Sequence, residues 1–146
     1  MTQNTLRRVA ILGGNRIPFA RSNTAYPRAS NLEMLATTLQ GLVDRFGLHG
    51  QRLGDVAAGA VMKHSRDFNL VREAVLSTGL SPETPAFDLQ QACGTGLEAT
   101  ILVANKIALG HHADDIIETL VKIGRHAENH FVGVPVDDTT VPQQKS

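Results

Sequence analysis

Apolar residues recur along this chain in two periods, and the alternation between them predicts its elements. Residues 9–12 (Val-Ala-Ile-Leu) are a short continuous apolar run stopped by Gly13-Gly14, the pattern of a buried strand. A polar loop with Pro18 and Pro27 follows over 15–30. Leu32, Leu35, Ala36, Leu39, Leu42, Val43 and Phe46 then fall on one helical stripe, with Ser30 or Asn31 able to cap its start and Gly47 to end it. Residues 56–62 read as a second strand. Residues 69–77 read as a helix with Leu70, Ala74 and Val75 inward, closed by Gly79. A third apolar segment, 86–89, leads to another helical pattern carried by Leu97, Ile101, Leu102, Ala104, Ile107 and Ala108. The order β-α-β-α-β-α predicts an α/β fold, a mostly parallel sheet with helices on both faces.

Beyond Gly110 the pattern changes character. Residues 113–123 read as an amphipathic helix, with Ile116, Leu120 and Ile123 on one stripe, Ile117 and Val121 beside it, and Gly124 at its close. Residues 131–136, containing Pro135, read as a late edge strand, and 143–146 as frayed. The expected organisation is one domain over 1–110, with a divergent helix and tail, 111–146, packed on it.

The chemistry concentrates at Cys93. It is the chain's single cysteine, so it has no disulfide partner within the chain and no second thiolate for a metal site. Its place between an apolar segment and a helical pattern puts it at a strand-to-helix junction. Unpaired N–H groups and the positive end of the helix dipole favour the nucleophilic thiolate there. Gly94 and Gly96 remove side chains, so a substrate carbonyl can approach the backbone. A free cysteine also packs readily as a small hydrophobe. The surrounding residues favour nucleophilic catalysis through a thioester.

Composition narrows the function classes. At 146 residues, 42% hydrophobic and 19% charged, the chain reads as a folded domain with a sizeable core. Lys plus Arg and Asp plus Glu are 14 each, which points to no nucleic-acid or membrane-surface partner. No apolar run reaches the roughly 18 residues of a spanning helix. The polar first eight residues lack a secretory signal pattern, and one unpaired cysteine suits a reducing cytoplasm.

Three segments in order carry a family resemblance. Asp88-Leu89-Gln90-Gln91-Ala92-Cys93-Gly94-Thr95-Gly96-Leu97-Glu98-Ala99 resembles the reactive-cysteine segment of thiolases, the acetyl-CoA acyltransferase family. Residues 9–21 (Val-Ala-Ile-Leu-Gly-Gly-Asn-Arg-Ile-Pro-Phe-Ala-Arg) are similar to that family's first strand and following loop, and residues 63–73 to its loop and helix ahead of the cysteine. Together they cover about residues 7–110. The resemblance implies a thiolase-like half-domain in which Cys93 accepts an acyl group from acyl-CoA. The Cys93 backbone N–H would then form half of an oxyanion hole, with Gly94 as backbone support. The reaction would be 3-oxoacyl-CoA thiolysis or acetoacetyl-CoA formation, in lipid metabolism. Acyl-CoA would be the substrate, no separate cofactor is implied, and a homo-oligomer or a partner chain is expected.

Departures from that pattern bear on activity. A Gly-His-Pro segment, a Cys-x-Gly segment and an Asn-Glu-Ala-Phe segment of the family are absent: His111-His112 is not followed by proline and there is no second cysteine. Half an active site is therefore expected, and a non-catalytic fragment acting through association is the alternative. A third reading comes from residues 105–120 (Asn-Lys-Ile-Ala-Leu-Gly-His-His-Ala-Asp-Asp-Ile-Ile-Glu-Thr-Leu). They resemble a segment of tRNA-modifying PP-loop ATPases, implying a nucleotide-binding or tRNA-modifying tail, although the Ser-Gly-Gly-x-Asp-Ser loop of those enzymes is absent.

Other polar clusters read as structural. His111 with Asp115 offers metal-ligand spacing, but Asp114, Asp115 and Glu118 equally suit a helix start with solvated histidines, and no metal site is expected. His126 and His130 form an ordinary exposed pair. Arg16 and Arg21 flank Pro18-Phe19, where a phosphate contact competes with a loop-fixing salt bridge. His64 reads as a surface residue, and Asn69 and Arg72 as capping and packing residues.

Overall fold

The computed structural model of the chain describes residues 8–21, 23–109, 118–120 and 131–136. Its elements are β1 (Arg8–Gly13), α1 (Asn31–Phe46), β2 (Val56–Ala58), α2 (Leu70–Leu76), β3 (Ala86–Asp88), α3 (Thr95–Leu109), β4 (Glu118–Leu120) and β5 (Phe131–Val136). A single 3-10 turn, Ala92–Gly94, precedes α3. The strands form one sheet in the order β1-β5-β4-β2-β3. β2 pairs in parallel with β3 and with β4, whereas β5 is antiparallel to both β4 and β1. Four strands therefore share one direction and β5 opposes them, in an α/β architecture of the expected kind.

The side chains of β2 show why helices cover both faces. Successive residues of a strand point to opposite sides. Val56 and Ala58 join Leu35, Leu39, Leu42 and Val43 of α1 and Leu70, Val71, Ala74 and Val75 of α2 in the main core. Ala57 joins Ala99, Val103 and Ile107 of α3, with Phe87 and Leu89 beside them. All three β2 residues are fully buried, as a strand covered on both faces requires. The β2-α2-β3 connection advances to one side of β2, and the chain from β3 through α3 returns to its other side. Crossovers of one hand taken in opposite directions put α2 and α3 on opposite faces.

Local chemistry fixes α1 at both ends. The Ser30 hydroxyl accepts from the Glu33 amide (3.1 Å), and the Glu33 carboxylate accepts from the Ser30 amide (2.7 Å), a reciprocal capping box. Gly47 closes the helix in the left-handed conformation, φ 65°. The helix is also tied to the loop after β1. Asn15 Nδ2 donates to Thr38 O at 3.0 Å, beside Gly41, where an added Cβ would lie 2.2 Å from that nitrogen. Across the sheet, Lys106 of α3 forms an ion pair with buried Asp55, and its ammonium lies 4.3 Å from the centre of the Phe87 ring.

Several expectations are corrected. The helix expected over 113–123 is not formed where the chain is described: 118–120 is strand β4. Its backbone groups pair with β2 on one side and β5 on the other, and that pairing overrides a helical periodicity. β5 is a strand, but it lies inside the sheet rather than at its edge. The strand expected over 56–62 stops at Ala58, because Gly59 passes under the backbone at Leu89. In α3 the inward residues are Thr95, Gly96, Ala99, Val103 and Ile107, so Leu97 and Ile101 face outward at 65% and 43% exposure.

The capping box generates a prediction. Ser30→Ala should destabilise the fold by about 1 kcal/mol in urea titrations. Hydrogen bonds from the Ser30 amide and then from its hydroxyl, with Arg66 adding a little, hold the Glu33 carboxyl below its ordinary value of 4.5. A lowered carboxyl contributes stability above its unfolded value and loses it as pH falls through its folded value. The stability gap between wild type and Glu33→Gln should therefore be full above pH 4.5 and close below it; a gap that does not change with pH would refute the assignment.

Candidate active site

Cys93 is exposed and sits in the 3-10 turn between β3 and α3. That is the carboxyl end of the parallel strands β2 and β3, the side on which open α/β sheets bind ligands. Several contacts hold the chain there. Leu89 N donates to Ala58 O at 3.0 Å, continuing the β2–β3 ladder one step past the strands. Gln90 Nε2 donates to Val61 O at 2.6 Å. Between these contacts the backbone of Gly59 lies so close that a Cβ on it would be 1.8 Å from Leu89 O and 3.0 Å from Thr95 Cγ2. Only glycine fits.

The turn itself is unusual in one respect. Ala92, immediately before the cysteine, has φ 43°, a left-handed conformation that costs a non-glycine residue energy. Gly94 N donates to Gln91 O at 2.8 Å, and the Thr95 backbone N–H donates to Ala92 O. The Gly94 amide is thus engaged within the turn, while among the described residues no hydrogen bond is recorded for the Cys93 amide. The Gly94 position is open as well: a Cβ there would meet only the Gln91 side chain, at 3.7 Å. Glycine at 94 is not demanded by the chain's own packing.

Asp88, at the end of β3, is a residue whose role sequence reasoning missed. Its carboxylate accepts from Lys63 Nζ (2.6 Å), from Leu70 N (3.1 Å) and from Val71 N (2.8 Å). It therefore caps α2 from a distance, neutralises a half-buried lysine and joins the loop 61–69 to the strand that leads to Cys93. The cap comes from seventeen and eighteen residues away in sequence, so no local pattern announces it.

The other residues singled out in the sequence fall as follows. Asn69 precedes α2 but makes no side-chain capping bond, the work being done by Asp88. Arg72 packs structurally, donating from Nη1 to Thr84 O (2.8 Å) and from Nη2 to Pro82 O (2.6 Å). His64 is exposed, and its carbonyl accepts from Asp67 N. Arg16 and Arg21 are exposed in the loop after β1; Arg16 Nε donates to Ile17 O at 3.5 Å, and Arg21 contributes its carbonyl to a turn with Thr24. No group of three or more His, Cys, Asp or Glu able to hold a metal occurs among the described residues. His111, His112, Asp114, Asp115, His126 and His130 lie outside them.

The fold is α/β, with an exposed cysteine on a strand-to-helix turn at the carboxyl end of its parallel strands. The family model for the thiolase N-terminal domain matches residues 9–118, and the chain belongs to the thiolase family. It is 35% identical over 103 residues to the 3-ketoacyl-CoA thiolase of Photorhabdus laumondii, covering 70% of this chain and 24% of that one. To the 3-ketoacyl-CoA thiolase of Shewanella halifaxensis it is 34% identical over 104 residues, covering 71% and 24%. The fold is similar to that of the Bacillus anthracis acetyl-CoA acetyltransferase, with a TM-score of 0.72 at 24% identity, over 84% of this chain and 30% of that one. The chain thus spans about a quarter of the length of the curated relatives it matches. Among the described residues no helix is long and apolar enough to cross a membrane.

The Gly59 contact is testable by one methyl group. Gly59→Ala must push Leu89 O aside, and overpacking of this kind costs about 1–3 kcal/mol or more. Chemical denaturation should report that loss. A variant of wild-type stability would show that the two loops do not approach as described.

Proposed function

We propose that this chain carries the acyl-accepting half of a thiolase-type acyltransferase, with Cys93 as its nucleophile. The observation that carries the reading is the exposed cysteine thiol beside its own amide, which has no hydrogen-bond partner among the described residues, on a turn whose next amide, Gly94, is already bonded. Cys93 Sγ attacks the carbonyl carbon of an acyl-CoA, the bond from that carbon to the CoA sulfur breaks, and CoA leaves as the thiol. The charge developing on the carbonyl oxygen meets the Cys93 amide, one half of an oxyanion hole. The bare Gly94 position leaves the approach to that amide open.

The full cycle, 3-oxoacyl-CoA thiolysis or acetoacetyl-CoA formation, needs a base for Cys93 and a second acid/base. This sequence has no second cysteine and no Gly-His-Pro segment, so those groups come from elsewhere in the working assembly. The names of the relatives, 3-ketoacyl-CoA thiolase and acetyl-CoA acetyltransferase, support this substrate class. A reducing cytoplasm is the proposed compartment. The nucleotide-binding or tRNA-modifying reading gains no support, because half of the segment that suggested it, residues 110–117, lies outside the described residues.

Association is part of the same proposal. β1 is an edge strand with Val9, Ile11 and Leu12 exposed at 36%, 56% and 54%, and α3 presents Leu97, Ile101 and Leu109. Exposed apolar edges favour pairing with another chain. This feature equally suits a fragment that acts through association without turnover.

Two measurements test these statements. Incubation with acetyl-CoA or acetoacetyl-CoA should add one acyl mass to the intact chain and none to Cys93→Ala. Gly94→Ala should be stabilised by about 0.4–1 kcal/mol yet acylate more slowly. A folded wild type that takes no acyl group would remove the acyltransferase reading. Separately, sedimentation should show a concentration-dependent oligomer, weakened about 10-fold or more by Ile11→Lys at the strand edge. A monomer at every concentration would remove the association reading.

A further inference from the structure

Thr95 is almost fully buried, at 1% exposure, and its hydroxyl does two things at once. Its Oγ1 accepts from Gln91 N at 2.9 Å and donates to Ala92 O at 2.8 Å. These two backbone groups bracket the peptide that enters the strained residue, Ala92, at φ 43°. The methyl end of the side chain, Cγ2, lies where Gly59 leaves room, 3.0 Å from a Cβ built there. One side chain therefore joins the floor of the site to the turn that carries Cys93. A left-handed alanine persists only where its surroundings over-determine it. Here those surroundings are the Thr95 hydroxyl, the Thr95 backbone N–H to Ala92 O and the Gly94 amide to Gln91 O.

We infer that Thr95 is the positioning residue of the cysteine turn: its hydroxyl holds Ala92 in the left-handed conformation and so sets the direction of the Cys93 amide and thiol. Thr95 need not touch substrate to do this. It acts through the peptide links on either side of Ala92, and a rotation there would turn the Cys93 N–H away from the place it shares with Sγ. The catalytic meaning of the inference rests on the acyl-transfer reading above; its structural content does not.

The experiment compares Thr95→Val, which keeps the shape and removes the hydroxyl, with Thr95→Ser, which keeps the hydroxyl. Two quantities are read in the full chain: amide hydrogen exchange at Gln91 and Gly94, and the rate of Cys93 acylation by acetyl-CoA. Removing the hydroxyl leaves a hydrogen-bonding partner unmet, so Thr95→Val should raise exchange at 91 and 94 by about 10-fold or more, with α1 amides unchanged. Acylation should slow by a comparable factor, and Thr95→Ser should return both close to wild type. Should Thr95→Val fail to fold, Ala92→Gly combined with it provides the second variant, because glycine reaches φ 43° without the Cβ penalty. That double variant should fold and still exchange rapidly at 91 and 94.

Wild-type exchange and acylation in a folded Thr95→Val, or the double variant exchanging like wild type, overturns the inference. So does a folded Thr95→Ser that behaves like valine. If wild type itself takes no acyl group, the acyltransferase reading falls, and Thr95 is judged on the exchange data alone.

Discussion

The cysteine turn depends on how closely the backbone after β2 approaches the backbone after β3. Gly59 lies under Leu89, and the β2–β3 ladder runs one hydrogen bond beyond the strands. That approach fixes Leu89, and Leu89 fixes where the chain must turn. Thr95 reaches the same floor from the first residue of α3. A parallel pair of three-residue strands is a weak unit by itself, so its hold on the turn comes from burial. Val56, Ala57 and Ala58 have no exposed surface, and helices on both faces keep water from the ladder.

Much of this was legible in the sequence, and the reasons are local. The stripe from Leu32 to Phe46 names α1, Ser30 its cap and Gly47 its stop, because capping and periodicity operate within a few residues. The segment 86–89 followed by an apolar helical pattern placed Cys93 at a strand-to-helix junction, where it is found. What was illegible depends on residues far apart in sequence. Nothing near Ala58 says that Leu89 will arrive beside Gly59. Alanine has no preference for positive φ, so Ala92 carries no mark of its conformation. Residues 118–120 are a strand because β2 and β5 offer them hydrogen bonds, which a helical period cannot reveal. Which face of α3 turns inward is likewise set by packing: Ala99, Val103 and Ile107 meet Ala57 of β2, which leaves Leu97 and Ile101 outward.

Membership in the thiolase family and the geometry of the turn answer different questions. The family match covers three quarters of the chain, whereas the stretch aligned with a curated relative is only 24% of that relative. The turn explains how one cysteine is presented, and the exposed apolar residues of β1 and α3 explain why such a unit would seek company. Among the described residues, the apolar side chains of β1 and α3 lie on the surface of the same unit that presents the cysteine.

The distant cap on α2 has a consequence for how the chain acquires its shape. A seven-residue helix is too short to persist alone in water, and this one borrows its N-terminal hydrogen-bond acceptor from Asp88, seventeen and eighteen residues further on. During synthesis α2 therefore waits, because the residue that completes it has not yet been made. Pairing of β3 with β2 is what places Asp88 against α2, so the helix's cap and the partner of Lys63 both depend on that pairing. The strand that delivers the cysteine is thus also the strand that finishes the helix before it.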